Sequence, residues 1–394
     1  MNKYKKIALV LLALLLSVPA FACRYTVREI GFADFGTDNY QLYFYKDKFV
    51  NSDMISQFKR ISYAALLDAN VQAQIIDVVS QRNHPAMKYY NTEKKHTSPI
   101  AVLVNPDKTA SLTFHLKKDA KKFKESVWAL LEDVITSATR IEILMNIVKS
   151  YAVVLFIEGS DSVQNKKVLN EIEFSIRTIS STKDKMPKPV DNPPALVVLK
   201  HDRLKNERVL LWSIGLKEDY LQQPAVVILY GRGRIMGQSL QNALLQQVNI
   251  NNLLTIVGAD CECGLDRSWI LGKMLPIRWD RRRQKEVQKW HKFDAENPFV
   301  KAEMSQILSI SPDKERKQGA LGTGTLYGYT EGAIKVIKDY NKNNLTASNI
   351  DSLNDSLSVD GSSGKNIYIY MLIFFILVVV GGIIIYIGSK KRAL

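Results

Sequence analysis

The sequence predicts an α/β protein: two tandem copies of one strand–helix–strand–hairpin–helix unit, then a helical segment, a flexible tether and one C-terminal transmembrane helix. Three observations carry that reading. Short runs of β-branched and aromatic residues alternate with stretches whose apolar positions recur at helical spacing. The order of those elements repeats, each time with a proline opening a buried strand that turns into a hairpin. Uncharged apolar segments stand at both ends of a chain whose overall hydropathy is near zero.

In the first copy, residues 41–45 read as a strand after the turn-forming Thr37-Asp38-Asn39. Ser52 or Asp53 is placed to cap a helix reaching about residue 68, with Met54, Ile55, Phe58, Ile61 and Ala65 near helical spacing. Residues 74–79 are a second strand. Ser98-Pro99 then introduces strands over 100–104 and 111–115, joined by the turn Asn105-Pro106-Asp107-Lys108. One long helix is expected from about residue 119 to 149, with Phe123, Val127, Leu130, Leu131 and Val134 on one face and the cations of residues 117–124 on the other.

The second copy repeats the order: strand 152–157, helix 162–179 and strand 195–199, with residues 208–214 as an extra or displaced strand. Gln223-Pro224 opens strands 225–230 and 235–240, joined by Gly231-Arg232-Gly233-Arg234, and helix fills 241–257. Residues 268–276 and 281–310 look helical, with Asn297-Pro298 as an interruption. The glycines of 319–328 mark a loop, and the Ser/Asn/Asp/Gly-rich residues 345–366 mark a tether. The resulting division is signal 1–22, first domain 23–150, second domain 151–276, basic helical extension 277–344, tether 345–366, membrane helix 367–388 and tail 389–394.

Strand, helix, strand, Pro-led hairpin and closing helix resemble the thioredoxin fold, over roughly residues 38–260 as two copies; a single larger α/β domain is the competing reading. The resemblance implies that Pro99 and Pro224 are structural, cis and beside the active-site position. It also implies a Cys-x-x-Cys at the start of the helix after the first strand, where the helix dipole and backbone amides favour a thiolate. Those positions instead read Lys48-Phe49-Val50-Asn51-Ser52-Asp53 and Gly159-Ser160-Asp161-Ser162. The standard redox site is absent from both copies, which points to a binding or scaffolding use of the fold.

The chain has 394 residues, 54 Lys+Arg against 39 Asp+Glu, a net charge of +15 and three Cys. This excludes a disulfide-dense mini-protein and a chain disordered throughout. Lys3, Lys5 and Lys6, an apolar run from 7 to 18 and Ala20-Phe21-Ala22 form a cleavable secretory signal. Cys23 would open the mature chain, but Ala20 and Phe21 fit a lipoprotein signal poorly. Residues 367–388 are a run of 22 uncharged residues, with Tyr368 and Tyr370 near its start suiting one interface and Lys390, Lys391 and Arg392 following it. That length suits a bilayer span, and the cations place the tail in the cytoplasm. The Lys- and Asn-rich composition then predicts a bacterial inner-membrane protein with its bulk in the periplasm, a eukaryotic secretory location being the alternative. Nucleic acid is not an expected partner there; the membrane and an envelope protein are.

Chemistry could sit at Cys261-Glu262-Cys263 together with Cys23. A structural disulfide is the first expectation in an oxidising compartment. Thiol–disulfide exchange by Cys261 and Cys263, with Cys23 as resolving thiol, is the enzymatic reading. Three thiolates could also hold Cu(I) or Zn(II), although no cofactor is required and His84, His96, His115, His201 and His291 show no ligand spacing. Gly231-x-Gly233-x-x-x-Gly237 lacks the strand-to-helix context of a phosphate loop, and no Gly-x-Ser-x-Gly or His-Glu-x-x-His occurs. The basic run Arg278, Arg281, Arg282, Arg283, Lys285, Lys289 and Lys292, with Trp279 and Trp290, is a candidate interaction surface for anionic lipid or an acidic partner.

Overall fold

Alternating apolar runs separated by turn residues build two separate sheets, one of four strands and one of five. The computed structural model describes residues 24–90, 98–188, 190–216, 222–259 and 270–309. Cys23, Cys261, Cys263, the signal, the tether and the expected membrane helix lie outside the described residues. Among the described residues no helix is long and apolar enough to cross a membrane.

The first sheet contains β1 (Tyr40–Lys46), β2 (Val71–Asp77), β3 (Ile100–Val104) and β4 (Ser111–His115), in the order β2-β1-β3-β4. β1 and β2 are parallel; β3 is antiparallel to both β1 and β4. α2 (Ser52–Leu66) makes the parallel crossover. Its cap is Asn51 rather than Ser52 or Asp53: the Asn51 backbone is extended and its side chain accepts from the Met54 N–H at 2.9 Å. Phe58 of α2 stacks on Phe44 of β1 at 4.4 Å, and Phe123, Val127 and Leu131 of α4 (Ala120–Ile135) close the same core. The short α3 (Met87–Tyr90) covers the other face, where Tyr43, Tyr45 and Tyr89 meet Val102 and Val104.

The expected single helix over 119–149 is two, α4 and α5 (Ala138–Ile147), because Thr136 and Ser137 are both extended. Ser137 caps α5 by accepting from the Arg140 N–H. The buried Arg140 guanidinium then donates to the Val134 and Thr136 carbonyls (2.6 Å each), to that of Asp133, and to that of Pro276 at 2.9 Å. Carbonyls orphaned by the end of a helix are thereby satisfied by one side chain.

The second sheet repeats the plan with β5 (Val153–Ile157), β6 (Ala195–Leu199), β7 (Ala225–Tyr230) and β8 (Arg234–Ile235), in the order β6-β5-β7-β8, with β9 (Leu240–Gln241) also on β7. β5 and β6 are parallel and β5 and β7 antiparallel. α6 (Ser162–Thr182) and α8 (Gln247–Val257) cover one face. The expected strand 235–240 is split: Gly237 takes a left-handed φ of +67° between β8 and β9. Residues 208–214 hold a helix, α7 (Arg208–Ser213), not a strand. Val209 packs into the first core while Leu210 and Leu211 pack into the second, a division that successive helical positions about 100° apart allow.

Of the helix expected over 268–276, residues 268 and 269 lie outside the described residues, and 271–276 are irregular rather than helical and link the two units. Met274 pairs with Arg234 and Arg278 with Ala69; the Tyr40 hydroxyl donates to the Met274 carbonyl at 2.8 Å, and the Trp279 N–H to the Asp68 carbonyl at 2.7 Å. The run expected over 281–310 is α9 (Arg281–His291) and α10 (Pro298–Ser309), separated where Lys292 turns left-handed. Residues 24–33, including α1 (Val27–Ile30), precede the first sheet in sequence, yet Tyr25, Val27, Ile30 and Ala33 lie in the core of the second.

Candidate binding site

The helix after the first strand is where a reactive thiol would gain most from backbone amides. In the first unit the Asn51 carboxamide caps that helix, and the Asp47 carboxylate accepts from the Phe49 N–H at 2.8 Å in the preceding turn. In the second, Asp161 accepts from the Val163 N–H at 2.8 Å, Asn165 brackets Gly159 through two bonds, and Ser160 bonds to the Gln222 carbonyl at 3.0 Å. Each start is thus closed by its own polar side chains. Pro99 and Pro224 enter β3 and β7 as expected, but through trans bonds, the ordinary preference of an X–Pro peptide; no cis bond occurs among the described residues.

The order β6-β5-β7-β8 of the second sheet repeats the β2-β1-β3-β4 of the first, each with a parallel crossover and an antiparallel hairpin. Each half is thioredoxin-like. No family model and no curated protein sequence matches the chain. Among solved structures it is similar to the zinc-bound form of human ERp44, at 11% identity over 67% of this chain and 63% of that one, with a TM-score of 0.21. It is also similar to the first two thioredoxin domains of Saccharomyces cerevisiae Eps1p, at 7% identity over 55% of this chain and 92% of that one, with a TM-score of 0.21. The chain thus spans less than two thirds of the ERp44 structure.

Of the expected interaction residues, Arg281, Arg282 and Trp290 are exposed along α9. Arg283 is half-buried and paired with Asp280. Trp279 does not join them. It is 3% exposed, 6.2 Å from the Phe32 ring, and stacked beneath the Arg232 guanidinium at 5.3 Å, so it belongs to the core. Among the described residues no group of three His, Cys, Asp or Glu side chains is arranged to hold a metal.

The Gly231–Arg234 turn is buried rather than solvated. Arg234 is fully enclosed, donating to the Gly31, Ala33 and Gly272 carbonyls and pairing with Asp38 at 2.9 Å. Gly231 has φ +55° and lies against Gly31, where an added Cβ would sit 2.2 Å from the Gly31 carbonyl carbon. Arg28 donates to the Ser150 carbonyl at 2.6 Å and contacts Nδ1 of His291 at 3.0 Å, whose Nε2 faces the Val148 carbonyl at 3.0 Å. Burial first, then the Arg28 charge, pushes His291 down to about 3. The ring is therefore neutral, accepting at Nδ1 and donating at Nε2. Burial also lowers Arg28 and Arg140 to about 10, which leaves both charged at neutral pH. Composition alone gave no sign of these arginines, because Arg is ordinarily a surface residue.

A groove of about 820 Å³ opens elsewhere, between α2 and β2. Ile55, Tyr63 and Leu67 from the α2 side face Ala73 and Ile75 of the strand, with Lys59 on the rim. Tyr63 is 76% and Leu67 70% exposed. At one end Lys46 pairs with Asp77 at 2.6 Å, and that hydrogen bond, with two from backbone amides, holds the Asp77 carboxyl down at about 2.

Proposed function

We propose that this chain is a membrane-anchored binding or scaffold protein, exported through its N-terminal signal, held by residues 367–388, and accessory to an envelope or transporter complex. The observation that carries the reading is the start of each thioredoxin-like crossover helix. Asn51 and Asp161 occupy the amide-rich positions that a reactive thiol would need, and no cysteine stands within either motif. A fold kept twice without its thiols retains its surfaces, its edges and the spacing between them, which are the parts used in recognition.

The test is the intact mass of the full chain, taken from membranes under native and then denaturing, non-reducing conditions with thiol alkylation. The binding reading predicts a Cys23-linked disulfide that resists mild reductant, and no bound metal. A Cys261/Cys263 pair that cycles readily, or copper or zinc retained by the three thiols, would replace it with redox or metal chemistry.

A further inference from the structure

We propose that the α2–β2 groove takes an extended polypeptide segment of a partner, which adds a strand to the edge of β2 that no other described strand covers. This deepens the binding reading and rests on it. Three features define the occupant.

The first is hydrogen-bonding capacity. β2 ends its sheet, and the Tyr40 N–H donates to the Asn70 carbonyl at 2.9 Å. In a parallel ladder alternate residues face the neighbour, so Gln72, Gln74 and Ile76 turn their backbone groups to β1 while Ala73 and Ile75 turn theirs outward. Folded proteins ordinarily protect such an edge with proline, a bulge or charge. Residues 71–76 read Val-Gln-Ala-Gln-Ile-Ile, with none of these, and pair with β1 in unbroken register. An incoming backbone of alternating donors and acceptors fits that edge, as in recognition by strand addition.

The second is the groove wall. Ile55, Tyr63, Leu67 and Ile75 present apolar surface directly beside the edge. A strand places every second side chain on one face, so the occupant carries apolar residues at alternate positions. The third is charge. Lys46 is already matched by Asp77, whereas among the described residues no carboxylate lies within ion-pair distance of Lys59. The occupant therefore carries a carboxylate opposite Lys59.

The probe is a displayed library of random heptapeptides, selected on immobilised full-length chain in mild detergent. Enrichment of peptides with alternating apolar residues and an acidic position is expected. Ala73→Pro deletes an outward N–H and leaves the β1 ladder intact, so it should weaken the selected peptides about tenfold. Tyr63→Glu, at a position too exposed to disturb the core, should weaken them comparably, and Lys59→Glu should remove the acidic preference. No enrichment, or equal binding by Ala73→Pro and Tyr63→Glu, overturns the proposal. So does a dimer of the free chain that Ala73→Pro dissolves, since the edge would then belong to a second copy. A Cys261→Ser/Cys263→Ser chain separates the two claims. Retained peptides leave both standing, whereas peptides captured only as mixed disulfides, and lost in that variant, contradict the binding reading itself.

Discussion

Acidification from pH 7 to 5 should weaken the native state chiefly through His291. In the fold its ring is neutral, held between the Arg28 guanidinium and the Val148 carbonyl and tilted against the Phe32 ring at 4.6 Å. Its folded value of about 3 lies below the 6.5 of a free imidazole. The unfolded chain therefore takes up a proton on His291 below about pH 6.5 and the folded chain does not, so stability is lost as the pH falls and the loss continues toward pH 3. At 1.36 kcal/mol per pH unit, the step from pH 7 to 5 costs about 2 kcal/mol at most, because the half-buried ring is partly screened. In a domain pair of this size that is a fall in Tm of about 4–8 °C. His291→Gln keeps an acceptor for Arg28 and a donor for Val148 but cannot titrate. Thermal melts of both proteins at pH 7 and 5, at one ionic strength, read the difference directly. The variant should lose several degrees less than the wild type on acidification. Equal losses would mean that His291 is not held neutral, and the assigned bonding at its two nitrogens would be wrong.

Arg140→Met should cost about 3–5 kcal/mol in urea unfolding, because the carbonyls at the α4–α5 break lose their common donor inside the core. Asn51→Ala should cost about 1 kcal/mol and Ser52→Ala a few tenths at most, the order that identifies the α2 cap; the reverse order would reassign it.

Much of the architecture could be read from residue pattern. Strands such as Ile100–Val104 and Ala225–Tyr230 are continuous apolar runs bounded by proline and turn residues, and their expected limits match the fold. Where the reading differed, long-range contacts decided. Residues 208–213 are apolar enough for a strand, yet they serve two cores at once and coil into α7. The α4–α5 break depends on Arg140 reaching the Pro276 carbonyl, a partner 136 positions away. Trp279 stands in a basic run that looks like a surface motif, but the crossing at 274–279 carries it beneath Arg232. The groove had no local signal at all, since β2 becomes an edge only through the strand order.

Insulin reduction by the full chain with dithiothreitol tests most directly the claim that this double thioredoxin-like fold works without redox thiols. The account predicts a rate equal to that of dithiothreitol alone, unchanged by Cys261→Ser/Cys263→Ser. Acceleration that disappears in that variant would contradict it and make the chain an oxidoreductase.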